Sequence, residues 1–222
     1  MENHEEHDGS VDPRALLERT DWDAVYHCCW DMAPPTEDIL LRLFADDAAE
    51  QGHALRELRE AVWRGNVVSS ATAPAVSFVA AVLGDPRTLV PVTDRTPDEE
   101  REQGTRIRFP LRAGLLDWLG DVLEDAARQQ GCAYGDEEDV EAVLAQAPAL
   151  HDAVRPFLDD TSPDVREAAL GAFLPLLSLP ALTGRIPEHR DRVRRLSRSG
   201  GRHRARAVDT LAFWGEDLST VL

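Results

Sequence analysis

Residues 154–177 read VRPFLDDTSPDVREAALGAFLPLL, and the fold turns on this stretch. An apolar run carrying Val154, Phe157 and Leu158 ends in Asp159-Asp160. A turn follows at Thr161-Ser162-Pro163, after which Val165, Ala168, Ala169, Phe173, Leu176 and Leu177 recur at helical spacing. Asp160 or Ser162 can cap the second helix with a side-chain oxygen. Pro163 suits the first helical position, where a backbone N–H has no intrahelical acceptor anyway. Asp164 lies in the first turn, near the positive end of the helix dipole. Val165, Ala168 and Ala169 are small enough to let a neighbouring helix approach. The stretch therefore predicts two helices folded against each other about a tight turn.

Weaker copies of this pattern lie on both sides. Phe44-Ala45-Asp46-Asp47 precedes Ala54-Leu55-Arg56-Glu57-Leu58; Leu83-Gly84-Asp85-Pro86 marks a second turn; and residues 195–200 precede Arg206-Ala207-Val208-Asp209-Thr210-Leu211. The turn positions Asp47, Asp85, Asp160 and Gly200 are 38, 75 and 40 residues apart. Spacings near 40 match repeats built from helix pairs, and the long gap holds one pair plus insertions.

Working outward, residues 1–12 are polar and acidic and are expected to form a disordered tail. Asp12-Pro13 opens a helix that ends near Thr20, and residues 22–32 form an aromatic and cysteine-rich end cap before Pro34-Pro35. Helices are expected after a Thr36 cap, over residues 48–63 and over residues 75–83. A long insert follows at 86–109. Pro110 opens a helix that is apolar nearly all round and hence central, and a second polar insert covers 125–139. Pro148 breaks the next stretch, and a last pair covers roughly 188–198 and 202–218. No convincing strand run is present.

The 154–177 unit closely resembles the HEAT repeat. The resemblance implies an all-α, right-handed α-solenoid of about four helix pairs over residues 13–222. It further implies that Arg166 ties successive turns together through their aspartates. Residues 61–83, with the connection Ala71-Thr72-Ala73-Pro74-Ala75-Val76-Ser77-Phe78, are also similar to a segment of bacterial HEAT-repeat proteins. There a polar segment precedes the connection. Here Trp63, Arg64 and Asn66 stand near that place, and the resemblance makes them candidate partner-binding residues.

Composition narrows the function classes. All 24 basic residues are arginine, against 41 acids, for a net charge of −17. A chain this acidic repels phosphate backbones, which sets a low expectation for nucleic-acid binding. The charge is polarised: residues 1–160 carry 14 Arg and 34 acids, whereas residues 161–222 carry 10 Arg and 7 acids. Nine of those arginines fall within 185–206, where they can pair with the acidic remainder. No run approaches the ~18 apolar residues needed to cross a bilayer, and the N-terminus lacks a signal pattern. The expected location is cytoplasmic.

No catalytic, metal or cofactor site is expected. His27, Cys28, Cys29 and Cys132 lack the paired spacing of a zinc site. P-loop, dinucleotide and nucleophile-elbow motifs are missing. HEAT-like enzymes resemble this chain less: the alkylpurine DNA glycosylases need a basic groove, and the di-iron hydroxylases need repeated His-Glu pairs, of which this chain has one, His4-Glu5. The two acidic inserts are the stronger candidates, because insertions into repeats gather on one face. Asp98, Glu99, Glu100 and Glu102 in the first, with Asp136, Glu137, Glu138 and Asp139 at the second, could meet a basic protein and steer its approach. The expected function is protein binding, as an immunity protein that neutralises a basic bacterial toxin domain or as a scaffold or regulatory adaptor, with an enzyme on a HEAT-like scaffold as the remaining alternative.

Overall fold

The computed structural model describes residues 12–27, 33–62, 67–93, 108–131 and 136–218. Helix makes up 72% of it, with little strand, so the chain is all-α in class. The described helices are α1 (Pro13–Leu17), α2 (Thr36–Arg42), α3 (Ala48–Glu57), α4 (Thr72–Val82), α5 (Leu111–Gln129), α6 (Glu137–Leu144), α7 (Ala147–Val154), α8 (Pro163–Leu177), α9 (Ile186–Ser197) and α10 (Arg204–Phe213).

Side-chain caps begin several of them. Asp12, Asp47 and Asp136 each accept the backbone N–H two residues on, at 3.0–3.1 Å, as Asx turns do. At the turn that decides the fold, both candidate caps are used. Ser162 Oγ accepts from Val165 N at 3.5 Å, while Asp160 Oδ1 accepts from Ser162 N at 2.8 Å.

The core is centred on α5 and α8, which share the most extensive helix contact. Trp118 from α5 and Phe173 from α8 are among its largest buried side chains, each worth about 2–3 kcal/mol of apolar burial. The two helices meet where neither needs room: a Cβ on Gly120 would lie 2.9 Å from Ala172 Cα and 2.9 Å from the Gly171 carbonyl oxygen. Around this pair, α3 packs on α5 and α10 packs on α8, while α4 contacts α2, α5, α6 and α7.

A histidine pair sits between α7, α8 and α9. His151 Nε2 and His189 Nε2 are 3.3 Å apart, and the Phe173 ring lies 5.1 Å from one imidazole and 4.6 Å from the other. One nitrogen must donate and the other accept. Burial first, then His151, holds the pKa of His189 below its ordinary value.

Several expectations are corrected. Thr36 is the first residue of α2 and is buried; Pro35 occupies the cap position. α3 gives way to a π-helical turn at Leu58–Val62. α4 starts at Thr72, whose Oγ1 accepts from Ser69 N at 2.9 Å and donates to the Val62 carbonyl at 3.1 Å. The insert expected at 86–109 has structured ends: a 3₁₀ turn at Pro86–Leu89, then an antiparallel pairing of Pro91 with Pro110 and of Val92 with Phe109. The insert expected at 125–139 begins later, because α5 continues through Gln129, with Asp125 buried and paired to Arg128 at 2.5 Å.

The tie between successive turns also differs. Arg166 reaches the carbonyls of its own turn, Asp160 at 2.6 Å and Thr161 at 2.9 Å. The link across turns falls instead to Arg112, which is 7% exposed. It donates to Thr88 Oγ1 at 3.0 Å and to the Asp85 carbonyl at 3.1 Å, and it stands 3.8 Å from the Asp160 carboxylate.

Candidate functional site

On α5, Asp117, Asp121 and Glu124 fall four and three residues apart and so share one stripe of the helix. Arg202, just before α10, and Arg206 within it are also four apart. The two stripes meet. Arg202 contacts Asp117 at 2.5 Å and stands 3.8 Å from Glu167 of α8. Arg206 contacts Asp121 at 3.1 Å and also pairs with Glu124. Because the contacts advance in the same direction along both helices, α5 and α10 run parallel.

These ion pairs cross over α8. Three helices laid flat would set the outer two about 16–20 Å apart. An arginine–carboxylate pair bridges most of that distance, and the cavities beside the bridges make this face concave. Two local features of α8 permit the crossing. Gly171 leaves space for the His203 ring, since a Cβ there would come 2.6 Å from His203 Cε1. Pro175, inside the helix, has no N–H to offer the carbonyl four residues back. That carbonyl belongs to Gly171, and Arg206 reaches it at 3.5 Å.

The result is a groove made of three adjoining cavities. One, of about 430 Å³, is lined by Phe109, Ala113, Asp164 and Glu167 together with Arg59, Asp117 and Arg202. The next, of about 390 Å³, shares Arg59, Asp117 and Arg202 and adds Asp121, His203 and Arg206. The third, of about 470 Å³, shares Arg206 and is walled by Leu174, Pro175, Leu179, Pro180 and Phe213, with Glu124 and Asp209 on its edge. Along α5 the groove runs from Ala113 to Ala127, about 20 Å at 1.5 Å per residue.

Burial raises the pKa of Asp117, against the opposing charges of Arg202 and Arg59. Burial also lowers that of His203, with Arg202 adding to the effect. Arg202 Nε donates to His203 Nε2 at 3.0 Å, so the neutral ring carries its proton on Nδ1. Arg202 thus holds the carboxylate on one side and the imidazole on the other. The groove presents fixed charges of both signs along α5 and α10.

The sequence candidates fare unevenly. Trp63, Arg64, Asn66, Asp98, Glu99, Glu100 and Glu102 lie outside the described residues, as do Cys28, Cys29 and Cys132. Asp136 caps α6, and Glu137, Glu138 and Asp139 form its first turn; none of the four lines the groove. Asp136, Glu137 and Glu138 are exposed. Burial, with Asp136 and Glu138 nearby, raises the pKa of Asp139. The arginine-rich segment does turn back on acidic partners: beside Arg202 and Arg206, Arg192 grips Asp159 at 2.9 and 3.0 Å, and Arg190 and Arg194 meet Glu216 at 3.0 and 2.5 Å. His27, buried, places Nε2 3.1 Å from the Pro34 carbonyl oxygen. Among the described residues no group of three or more His, Cys, Asp or Glu side chains is arranged to hold a metal ion, and no single helix is long and apolar enough to cross a membrane.

Sequence reasoning did not single out Arg59, Asp117, Asp121, Glu124 or Glu167. The four-residue spacing of Asp117 and Asp121 was the available signal, with the matching spacing of Arg202 and Arg206 as its counterpart. Comparison with known proteins identifies no family, because no protein-family model, curated protein or solved structure matches this chain.

Proposed function

We propose that this chain is a HEAT-like protein-binding module, a right-handed solenoid of four helix pairs that holds its partner in the groove above α8. The pairs are α2 with α3, α4 with α5, α7 with α8, and α9 with α10, with α6 as an added helix. Two observations support the repeat reading. Second helices contact in succession, α3 to α5 to α8 to α10, and so do the first helices α2, α4 and α7. Aspartate turns also recur at Asp47, Asp85 and Asp160.

The single observation that carries the binding role is the concave groove itself, about 20 Å long and lined by carboxylates and guanidiniums in fixed array. Such a surface can recognise a folded partner by charge register. The net charge of −17 favours a basic partner and would steer its approach. In its narrower form the proposal makes the chain a cytoplasmic immunity protein that occludes a basic toxin domain at one-to-one stoichiometry.

The test is capture of partners by the tagged chain at low and high salt, followed by titration calorimetry of the purified pair. The expected result is a basic protein bound one to one, with affinity falling as salt rises and weakened by Asp121→Arg. Capture of no protein at either salt concentration refutes the binding role. A partner that is bound but whose activity and toxicity are unaffected refutes the immunity form and leaves the adaptor.

A further inference from the structure

The charges of the groove fall into two sets. Asp117, Asp121 and Glu124 are held by Arg202 and Arg206. Asp164, beside Phe109 and Ala113 at one end, is exposed and has no side-chain partner among the described residues. Asp209, at the other end, is likewise exposed and unpartnered. The lining also holds Arg128, paired with Glu124 and Asp125, Glu167, 3.8 Å from Arg202, and Arg59, which donates to the Gly114 carbonyl, so the two carboxylates without a partner among the described residues stand one at each end.

The two ends differ in their walls. Near Asp209 the lining turns apolar, with Leu174, Leu179 and Pro180 facing Phe213. Phe213 is 60% exposed, a large apolar ring left on the rim of a concave apolar wall. A ring in that setting is the kind of anchor on which interface energy concentrates.

We propose that the groove takes an extended partner segment of defined chemistry: an apolar side chain seated against Phe213, a cationic side chain beside it on Asp209, and a second cationic side chain toward Asp164. About six extended residues span 20 Å at 3.3 Å each. The segment lies over the Arg202 and Arg206 bridges and leaves them intact. Charge complementarity selects this occupant over residues 1–11 of the chain itself, which carry four acids and no arginine. The inference rests on the protein-binding reading and specifies the recognition element.

The experiment uses the full chain and fluorescein-labelled, end-capped peptides of equal length in a Gly-Ser background. One carries two arginines and a leucine, the second replaces the leucine with serine, and the third replaces the arginines with glutamate. Fluorescence anisotropy is expected to show saturable one-to-one binding of the first, about tenfold weaker binding of the second and none of the third. Phe213→Ala should weaken the first probe about tenfold, and Asp209→Asn severalfold, with circular dichroism unchanged. Asp191→Asn on α9, away from the groove, should leave binding as it was.

Absence of saturable binding overturns the inference. So does equal binding by Phe213→Ala and Asp209→Asn, or equal weakening by Asp191→Asn. A chain shortened to Leu218 that binds the probe more tightly makes the chain's own last residues the occupant and also overturns it. The two readings fail separately. A captured partner indifferent to Phe213→Ala and Asp209→Asn removes this recognition element and leaves the module. Probe binding through these residues without any protein partner removes the module and leaves the groove's chemistry.

Discussion

Replacing Gly120 with alanine tests the crossing on which the groove is built. The added Cβ would stand 2.9 Å from Ala172 Cα, 2.9 Å from the Gly171 carbonyl oxygen and 3.0 Å from Ala172 N. All three are backbone atoms of α8, so no side chain can swing aside. Carbon atoms prefer about 3.5–4.0 Å, and α8 would have to retreat by most of an ångström. Overpacking of this kind costs about 1–3 kcal/mol, and a clash with rigid backbone belongs at the upper end. Alanine returns about 1 kcal/mol through helix propensity. The net expectation is a loss of about 2 kcal/mol, or about 4–8 °C in Tm for a chain of this size. The control is Gly84→Ala, where nothing lies within 4 Å and φ is not positive; it should be neutral or stabilise by up to about 1 kcal/mol. Urea and thermal unfolding followed by circular dichroism measure both. If Gly120→Ala is as stable as Gly84→Ala, α5 and α8 do not touch there, and the packing beneath the groove is not as the structure has it.

Three further outcomes follow from other parts of the fold. His189 has a folded pKa below its unfolded value of about 6.5, so its contribution to stability is present above that pH and is lost as pH falls through it; unfolding titrations should show stability dropping below about pH 6.5, and His189→Phe should flatten that slope. Arg112→Lys keeps the charge but cannot reach Thr88, the Asp85 carbonyl and Asp160 together, and should cost about 1–3 kcal/mol in urea unfolding. Asp136→Ala should cost about 1 kcal/mol through the lost cap of α6; an unchanged midpoint would show that the cap contributes nothing and return Asp136 to the set of residues held only for binding.

The second helix of residues 154–177 was legible because its signals are local, whereas the stretch before the turn, expected as a fresh helix, is the end of α7 followed by a 3₁₀ turn at Arg155–Asp159. A capping serine, a proline at the first helical position and small residues at helical spacing all act within one turn of their neighbours. The central helix was legible for the same reason. The start of the second insert was not, because Glu124-Asp125-Ala126-Ala127-Arg128 reads as solvent-facing, while Asp125 is buried and answered by Arg128 from the next turn. The role given to Arg166 passed to Arg112, since only the fold brings the Asp85 and Asp160 turns within reach of one guanidinium. The groove was hidden most deeply. Its two bridges join residues 85 apart in the chain, and no periodicity within either helix says which arginine will face which carboxylate.

The short pairing of Pro91 and Val92 with Phe109 and Pro110 has a consequence for how this protein can change. It brings the two feet of the intervening stretch together, and Gly52 lets the first foot press against α3, where any Cβ would strike the Thr93 backbone. The helical frame therefore fixes where the two feet stand. The first foot and α3 thus constrain each other: Gly52 can be replaced only if the strand pairing moves, and the pairing can shift only if α3 gives way.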